Sequence, residues 1–226
     1  MIRTIFAAFA TLTLLAACSS TPEIQTGDDA EVIMGDLHRI DHSRADLAYV
    51  NPDVDFGKYN KILLMPLGVD KVEIKQPDTS GSINRHSRDW ELTDDDKLKL
   101  QQLFHEAMSK ELQEKGGYPL VTEPGDDVLQ IQARLIAIAP SAPKDDYRSR
   151  SVGRGAVYTD GAGAMAVGVA FADSESGEIL GLMKDSRSTS NNWGRNNSVS
   201  NMADVRRMFS SWAIGIRKGL DKVHGK

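Results

Sequence analysis

Five histidines, a run of three aspartates and two glycine-rich turns are the residues whose types and spacing could do chemistry in this 226-residue chain. His38 and His42 stand four apart, which on a helix would place both imidazoles on one face. A zinc site needs three or four ligands with partners that orient them, and only nearby aspartates are at hand, so exposed histidines are expected and no metal is assigned. Asp94-Asp95-Asp96 follows Thr93 at the start of a helical pattern. Three adjacent helical positions point in different directions, so these carboxylates suit the positive end of a helix dipole better than a shared cation. Gly153-Arg-Gly155 and Gly161-Ala-Gly163 neither complete a nucleotide fingerprint nor open a helix after a strand, and no cofactor is expected. Serines are plentiful, but no Gly-x-Ser-x-Gly elbow is present. His86, His105 and His224 stand in no pattern that would make one of them a general base, so the expectation is a protein that is not an enzyme.

The single cysteine, Cys18, sits in a more informative setting. Arg3 gives the amino end a positive charge, an apolar run extends from Ile5 to Ala17, and Cys18-Ser19-Ser20 follows, which is the plan of an export signal. The run falls short of the ~20 residues needed to span a bilayer. Leu15-Ala16-Ala17-Cys18 resembles the lipobox of bacterial lipoproteins, in which the cysteine thiol takes a diacylglycerol and the chain is cut between Ala17 and Cys18. The plainer alternative, an ordinary secretory leader that happens to end in a cysteine, fits less well, because position, residue size and upstream hydrophobicity agree with the lipobox. At ~0.8 kcal/mol per buried methylene, two or three palmitate-like chains on one residue would anchor the protein to a membrane. By the same resemblance, Ser19 where an inner-membrane retention signal would place aspartate favours the outer membrane, with the body on its periplasmic face. Acylation would leave no thiol for disulfides, catalysis or metal. Loss of Arg3 with the leader turns the formal charge of -5 into -6, and no basic cluster is present, so a nucleic-acid partner is not expected.

The remaining chain is long enough for one core and too short for two large ones. The division reads as a signal peptide over 1–17, a lipidated flexible tether over 18–55, and one α+β periplasmic domain over 56–226. The tether is polar and acidic, with room for a short helix around Asp36 to Leu47. Lys61 to Pro66 is an apolar run of strand length, and Gln76 to Trp90 is a polar loop. Thr93 caps a helix whose apolar stripe is Leu98, Leu103, Phe104, Ala107, Met108 and Leu112, ended by Gly116-Gly117. Tyr118 to Val121 is a short strand. Val128 to Ala139 alternates until Ile136 and Ile138 occupy the polar phase, which means either a bulge or cover from the following loop. A second amphipathic helix runs from about Asn201 to Val223, with Trp212 in its apolar stripe. The fold class expected is α+β, a small, mainly antiparallel sheet with the two amphipathic helices packed on one face.

Between Ala162 and Ala172 the even positions are all alanine or glycine, while Met165, Val167, Val169 and Phe171 carry the bulk, and a Ser174-Glu-Ser-Gly177 turn returns the chain as a hairpin. The flat face at Ala166, Gly168 and Ala170 permits close approach by the long loops of this chain or by another molecule. Strands are usually covered within the fold, which favours the loops. Trp193 and Arg195, in a polar loop, are candidate recognition anchors, since Trp and Arg dominate interface hot spots, although burial against the domain is the favoured reading of the tryptophan.

Tyr49-Val-Asn-Pro-Asp, Tyr59-Asn-Lys-Ile-Leu-Leu-Met-Pro66, Tyr118-Pro-Leu-Val121 and Asp173-Ser-Glu-Ser-Gly-Glu-Ile-Leu180 together resemble the lipoprotein family catalogued as domain of unknown function 3313. The resemblance implies a lipid-anchored protein of Gram-negative bacteria and brings no catalytic residues. The order of elements also looks like the sheet-and-two-helix domains of other envelope lipoproteins, some of them accessory subunits of export or transport assemblies, which is analogy of fold alone. The functional expectation is a non-catalytic, lipid-anchored envelope protein that docks another envelope protein. A carrier or sensor of a small apolar ligand or lipid, in a cleft between sheet and helices, is the alternative, and a hydrolase comes third.

Overall fold

The computed structural model describes residues 21–77, 89–141, 158–160, 163–189, 193–195 and 198–226, so Ala17, Cys18 and His86 lie outside the described residues. Strands Glu23–Ile24 (β1), Val32–Ile33 (β2), Leu37–Asp41 (β3), Leu47–Val50 (β4), Lys61–Leu64 (β5) and Glu73–Ile74 (β6) precede helix Asp94–Met108 (α1). After α1 come Leu120–Val121 (β7), Val128–Pro140 (β8), Tyr158–Asp160 (β9), Gly163–Asp173 (β10), Ile179–Ser188 (β11), Trp193–Arg195 (β12) and helix Ser198–Val223 (α2). Among the described residues ten strands form one sheet in the order β1-β3-β4-β11-β10-β8-β5-β7, with β2 beside β3 and β6 beside β8; β9 and β12 pair separately.

The class is α+β with two helices, but the sheet is neither small nor mainly antiparallel: it is mixed. Two causes enlarge and mix it. The first is that part of the expected tether joins the fold. Leu37 is fully buried, β3 and β4 pair with each other, and β4 adds to β11, so residues 37–41 and 47–50 are sheet despite their polar composition. His38 and His42 therefore do not share a helical face: His38 lies on β3 and His42 follows it with a positive φ of 55°. The second cause is the link through α1, which carries the chain from β5 to β7 as a parallel pair, while β5 also runs parallel to β8. A parallel neighbour requires such a crossover, and hydrophobic periodicity carries no mark of strand direction.

The core lies between one face of the sheet and the two helices. Leu129, Ile131, Ala133 and Leu135 of β8 and Met165, Val167 and Val169 of β10 point into it, against Leu103, Phe104 and Met108 of α1 and Phe209, Trp212 and Ala213 of α2. Thr93 and Asp96 cap α1 reciprocally, so the aspartate run is a helix start. Leu98, expected in the stripe, is 65% exposed and Leu100 takes its place; at 3.6 residues per turn Leu98 lies about 140° round from Leu103. Past Met108 the helix widens into a π-helical segment, Ser109–Lys115, that turns Glu111 and Leu112 inward, and Gly117 then leaves it with φ 72°. Buried Glu111 joins the helices: Lys115 Nζ lies 2.6 Å from one carboxylate oxygen and Arg217 Nε of α2 lies 3.3 Å from the other. Burial pushes its carboxyl up, but Lys115 and Arg217 outweigh that and hold it below the ordinary value.

The hairpin of β10 and β11 turns where expected, and Asp173 organises it. Its Oδ1 accepts from the backbone N–H of Ser176 at 2.9 Å and of Glu175 at 3.1 Å, and Oδ2 accepts from the Tyr59 hydroxyl at 2.8 Å. These donors, the Ser176 amide foremost, hold the Asp173 carboxyl well below the usual carboxylate range. A pKa depressed in the folded state stabilises the fold above the unfolded value of about 3.9, and that contribution is lost as the pH falls below it. Asp173→Asn is therefore expected to lose about 1–3 kcal/mol near neutral pH, where a donor faces Tyr59 in place of an acceptor. Urea unfolding repeated at about pH 3 should show a smaller gap between the two proteins; an equal gap at both pH values would contradict the assignment.

Candidate functional site

The face of the sheet opposite α1 and α2 carries the flat strand. The register of β10 on β8 passes from Ala166↔Ala137 to Val167↔Leu135, so Ile136 is the extra residue of a β-bulge. Of the two readings of the Ile136 phase break, the bulge is the one observed. It leaves Leu135 and Ile138 on the core side and turns Ile136 onto the flat face. There the isoleucine leans over Gly168: a Cβ at position 168 would stand 3.3 Å from Ile136 Cδ1. Glycine is thus the residue that admits a bulky neighbour across the strand pair.

Gly168 and Ala170 floor a groove of 480 Å³ among the described residues. Gln132, Arg134 and Ile136 of β8 form one wall; Leu182 and Lys184 of β11, with Leu47 and Tyr49 of β4, form the other. The small residues Ala166, Gly168 and Ala170 are half-buried and share this face. Arg134 and Lys184 are exposed and make no salt bridge with a described residue, so the walls present two cations. At the rim the Tyr49 hydroxyl donates to Glu31 at 2.5 Å and Arg39 donates to the same carboxylate at 2.6 Å. Tyr49 and Arg39 hold the Glu31 carboxyl below its ordinary value, and Glu31 in return raises the Tyr49 hydroxyl. That acid is committed to its neighbours and leaves the groove's cations unneutralised.

Two of the described groups suited to catalysis, His224 and Asp185, are employed structurally. His224 Nδ1 lies 2.8 Å from the Leu220 carbonyl oxygen and its ring packs 5.3 Å from Tyr118, whose hydroxyl is pushed up to about 12 by burial and by Asp221. His105 is exposed. Among the described residues no histidine is bonded to a serine hydroxyl or a carboxylate, and no three metal-ligating side chains gather. Buried Asp185 accepts from Trp212 Nε1 at 2.8 Å, Arg187 Nε at 2.7 Å and the Asp46 amide at 3.2 Å, and so ties α2 to β11 and to the β3–β4 turn.

The structure places Ala166, Gly168 and Ala170 together on the groove face. Trp193 and Arg195 fall on β12, paired with β9, where only the backbone is described. Arg134, Ile136, Lys184 and Tyr49 were not singled out as site residues. The alternation of Gln132 and Arg134 marks a wet face, but which strands stand beside it is a matter of sheet order.

A family model described as "Protein of unknown function (DUF3313)" matches residues 36–216. No curated protein matches the chain. Solved structures with a similar course include a Xanthomonas campestris protein of the DUF330 family model, 9% identical with TM-score 0.43 over 73% of this chain and 85% of that one. A Caulobacter crescentus CB15 protein suggested to be a lipoprotein is 14% identical, with TM-score 0.35 over 56% of this chain and 85% of that one. A suggested Helicobacter pylori homolog of a neuraminyllactose-binding hemagglutinin is 14% identical, with TM-score 0.38 over 74% and 87%. Among the described residues no helix is long and apolar enough to cross a membrane.

Proposed function

Because the chain belongs to the DUF3313 family, which is one of unknown function, we propose its role from its own residues: a non-catalytic, lipid-anchored protein of the cell envelope that docks another envelope protein on the sheet face opposite its two helices. In this reading residues 1–17 are an export signal, Cys18 carries the acyl chains, and the body stands at the periplasmic face of the outer membrane. The observation that carries the docking is the groove, a floor of small residues between walls that bear the uncommitted cations Arg134 and Lys184. A floor without long side chains lets a partner's backbone or an aromatic ring come close. Two exposed cations select an acidic partner surface and steer its approach. Most of the affinity would come from the desolvated centre, so the rim charges contribute register and rate.

Photo-crosslinking in intact cells tests this. A crosslinker at Ala166 or Ala170 is expected to trap one discrete protein, and one at Trp193 to report whether β12 borders the same interface. A crosslinker at exposed Leu98 on α1 serves as the control. Reversing both cations, Arg134→Glu with Lys184→Glu, should lower the adduct from Ala170 at least tenfold, while a reciprocal crosslinker in acidic residues of the trapped protein returns to this chain. Random neighbours, or an adduct indifferent to the charge reversal, would refute the reading.

A further inference from the structure

On the other face of the sheet, where the helices pack, α2 does not reach the outermost strands. Between α2 and β3–β4 lies a cleft of 340 Å³, in the size range of roughly 300–1,000 Å³ typical of ligand sites. Its helix wall is Trp212, Gly215, Ile216, Gly219, Leu220 and Val223, a single face followed from residue 212 to residue 223, or about 16 Å at 1.5 Å per residue. Opposite stand Ala48, Val50, Phe171 and Met183, so the hollow is walled by hydrocarbon.

Two features of this wall find no structural use among the described residues. Gly215 and Gly219 each cost about 1 kcal/mol of helix stability relative to alanine. A Cβ at either position would meet nothing within 4 Å, so neither glycine makes room for a neighbouring residue of the described chain. The second feature is charge at one end only. The β3–β4 turn, bonded through the Asp46 amide to Asp185, brings Ser43 and Arg44 to the Trp212 end of the cleft. Arg187 there is committed to Asp185, whereas Arg44 is exposed and makes no salt bridge with a described residue. The Val223 end, beside Phe56, is apolar.

We infer that this cleft binds a fatty acid, its hydrocarbon chain lying along Gly215 and Gly219 and its carboxylate meeting the Arg44 guanidinium. One uncommitted cation at the mouth matches a singly charged carboxylate; a phosphate monoester would bring about twice the charge to the same single partner. Planar pairing of guanidinium with carboxylate supplies orientation, and burial of methylenes supplies the affinity.

The test uses the full-length protein reconstituted in phosphatidylcholine nanodiscs, with bromine-labelled dodecanoate quenching the fluorescence of Trp212 at the cleft wall. Saturable quenching is expected, weakened at least tenfold by Gly219→Leu and kept by Gly219→Ala; Gly215→Leu serves as a second filled variant. Open space at both glycines means these variants should fold, with thermal melts at or above that of the wild type. Arg44→Glu should weaken dodecanoate several-fold and leave dodecanol unchanged. Quenching that never saturates, or that survives both leucine variants with the fold intact, overturns the site. Equal binding of dodecanol and dodecanoate, or tighter binding of dodecyl phosphate, overturns the carboxylate. Uptake seen only with Cys18→Ala would assign the cleft to the chain's own acyl group and overturn the free ligand.

Discussion

Exchange of Cys18 for alanine is expected to move the protein from the membrane fraction to the soluble one almost completely. The physical ground is the sum over methylenes: at ~0.8 kcal/mol each, a single fourteen-carbon chain holds a protein only marginally, with an association constant on the order of 10⁴ M⁻¹, whereas two or three chains on one residue hold it durably. Cys18 is the only cysteine, so no second site can take over the modification. The apolar run ahead of it is too short to replace the anchor by spanning the bilayer. Fractionation after an alkaline carbonate wash reads the effect, and mass spectrometry of the native amino end checks its cause. A wild-type protein with an unmodified thiol, or a variant that stays on the membrane through the wash, would remove the anchor from the account.

Trp212→Ala is expected to destabilise the fold by about 3–5 kcal/mol, the range for emptying a buried aromatic site. Trp212 is 4% exposed, its ring packs 5.9 Å from Phe209, and Phe209 in turn meets Phe104 of α1 edge-on at 5.7 Å. The indole thus stands at the end of an aromatic chain through both helices, and its N–H also satisfies the buried Asp185 carboxylate. Trp212→Phe separates the two contributions: it retains most of the ring volume and withdraws the donor, for an expected loss of about 1–3 kcal/mol. Urea midpoints at an unchanged slope measure both losses. A loss below about 1 kcal/mol for the alanine variant would mean that α2 is not seated through this residue.

Much of the local structure was legible because it follows from short-range chemistry. Thr93 with three aspartates announced a helix start, and the reciprocal bonds with Asp96 realise it. The phase break at Ile136 announced a bulge or a covering loop, and the ladder shows which. Alternation of small and large residues over Ala164 to Phe171 told the two faces of β10 apart. Strands β3 and β4 were not legible within the polar amino-terminal segment, because a low density of apolar residues is a poor guide where β4 pairs with a strand that comes much later in the chain. Leu98 was misjudged for a smaller reason, since a stripe read by eye tolerates a residue about 140° out of phase.

The two hollows were beyond reach of any such reading. Gly168 lies beneath Ile136 only because β8 pairs with β10 in one register, and the second wall exists only because β4, from the amino-terminal part, adds to β11. The glycines of α2 read as weak helix positions; they border a cleft because the helix stops short of β3 and β4. Residue types and their spacing determined the two helices and the flat strand, since each depends on atoms a few positions apart. Sheet order, strand direction and the positions of both hollows were decided by tertiary pairing, in which residues more than a hundred positions apart, such as Asp46 and Asp185, meet only once the whole core has closed.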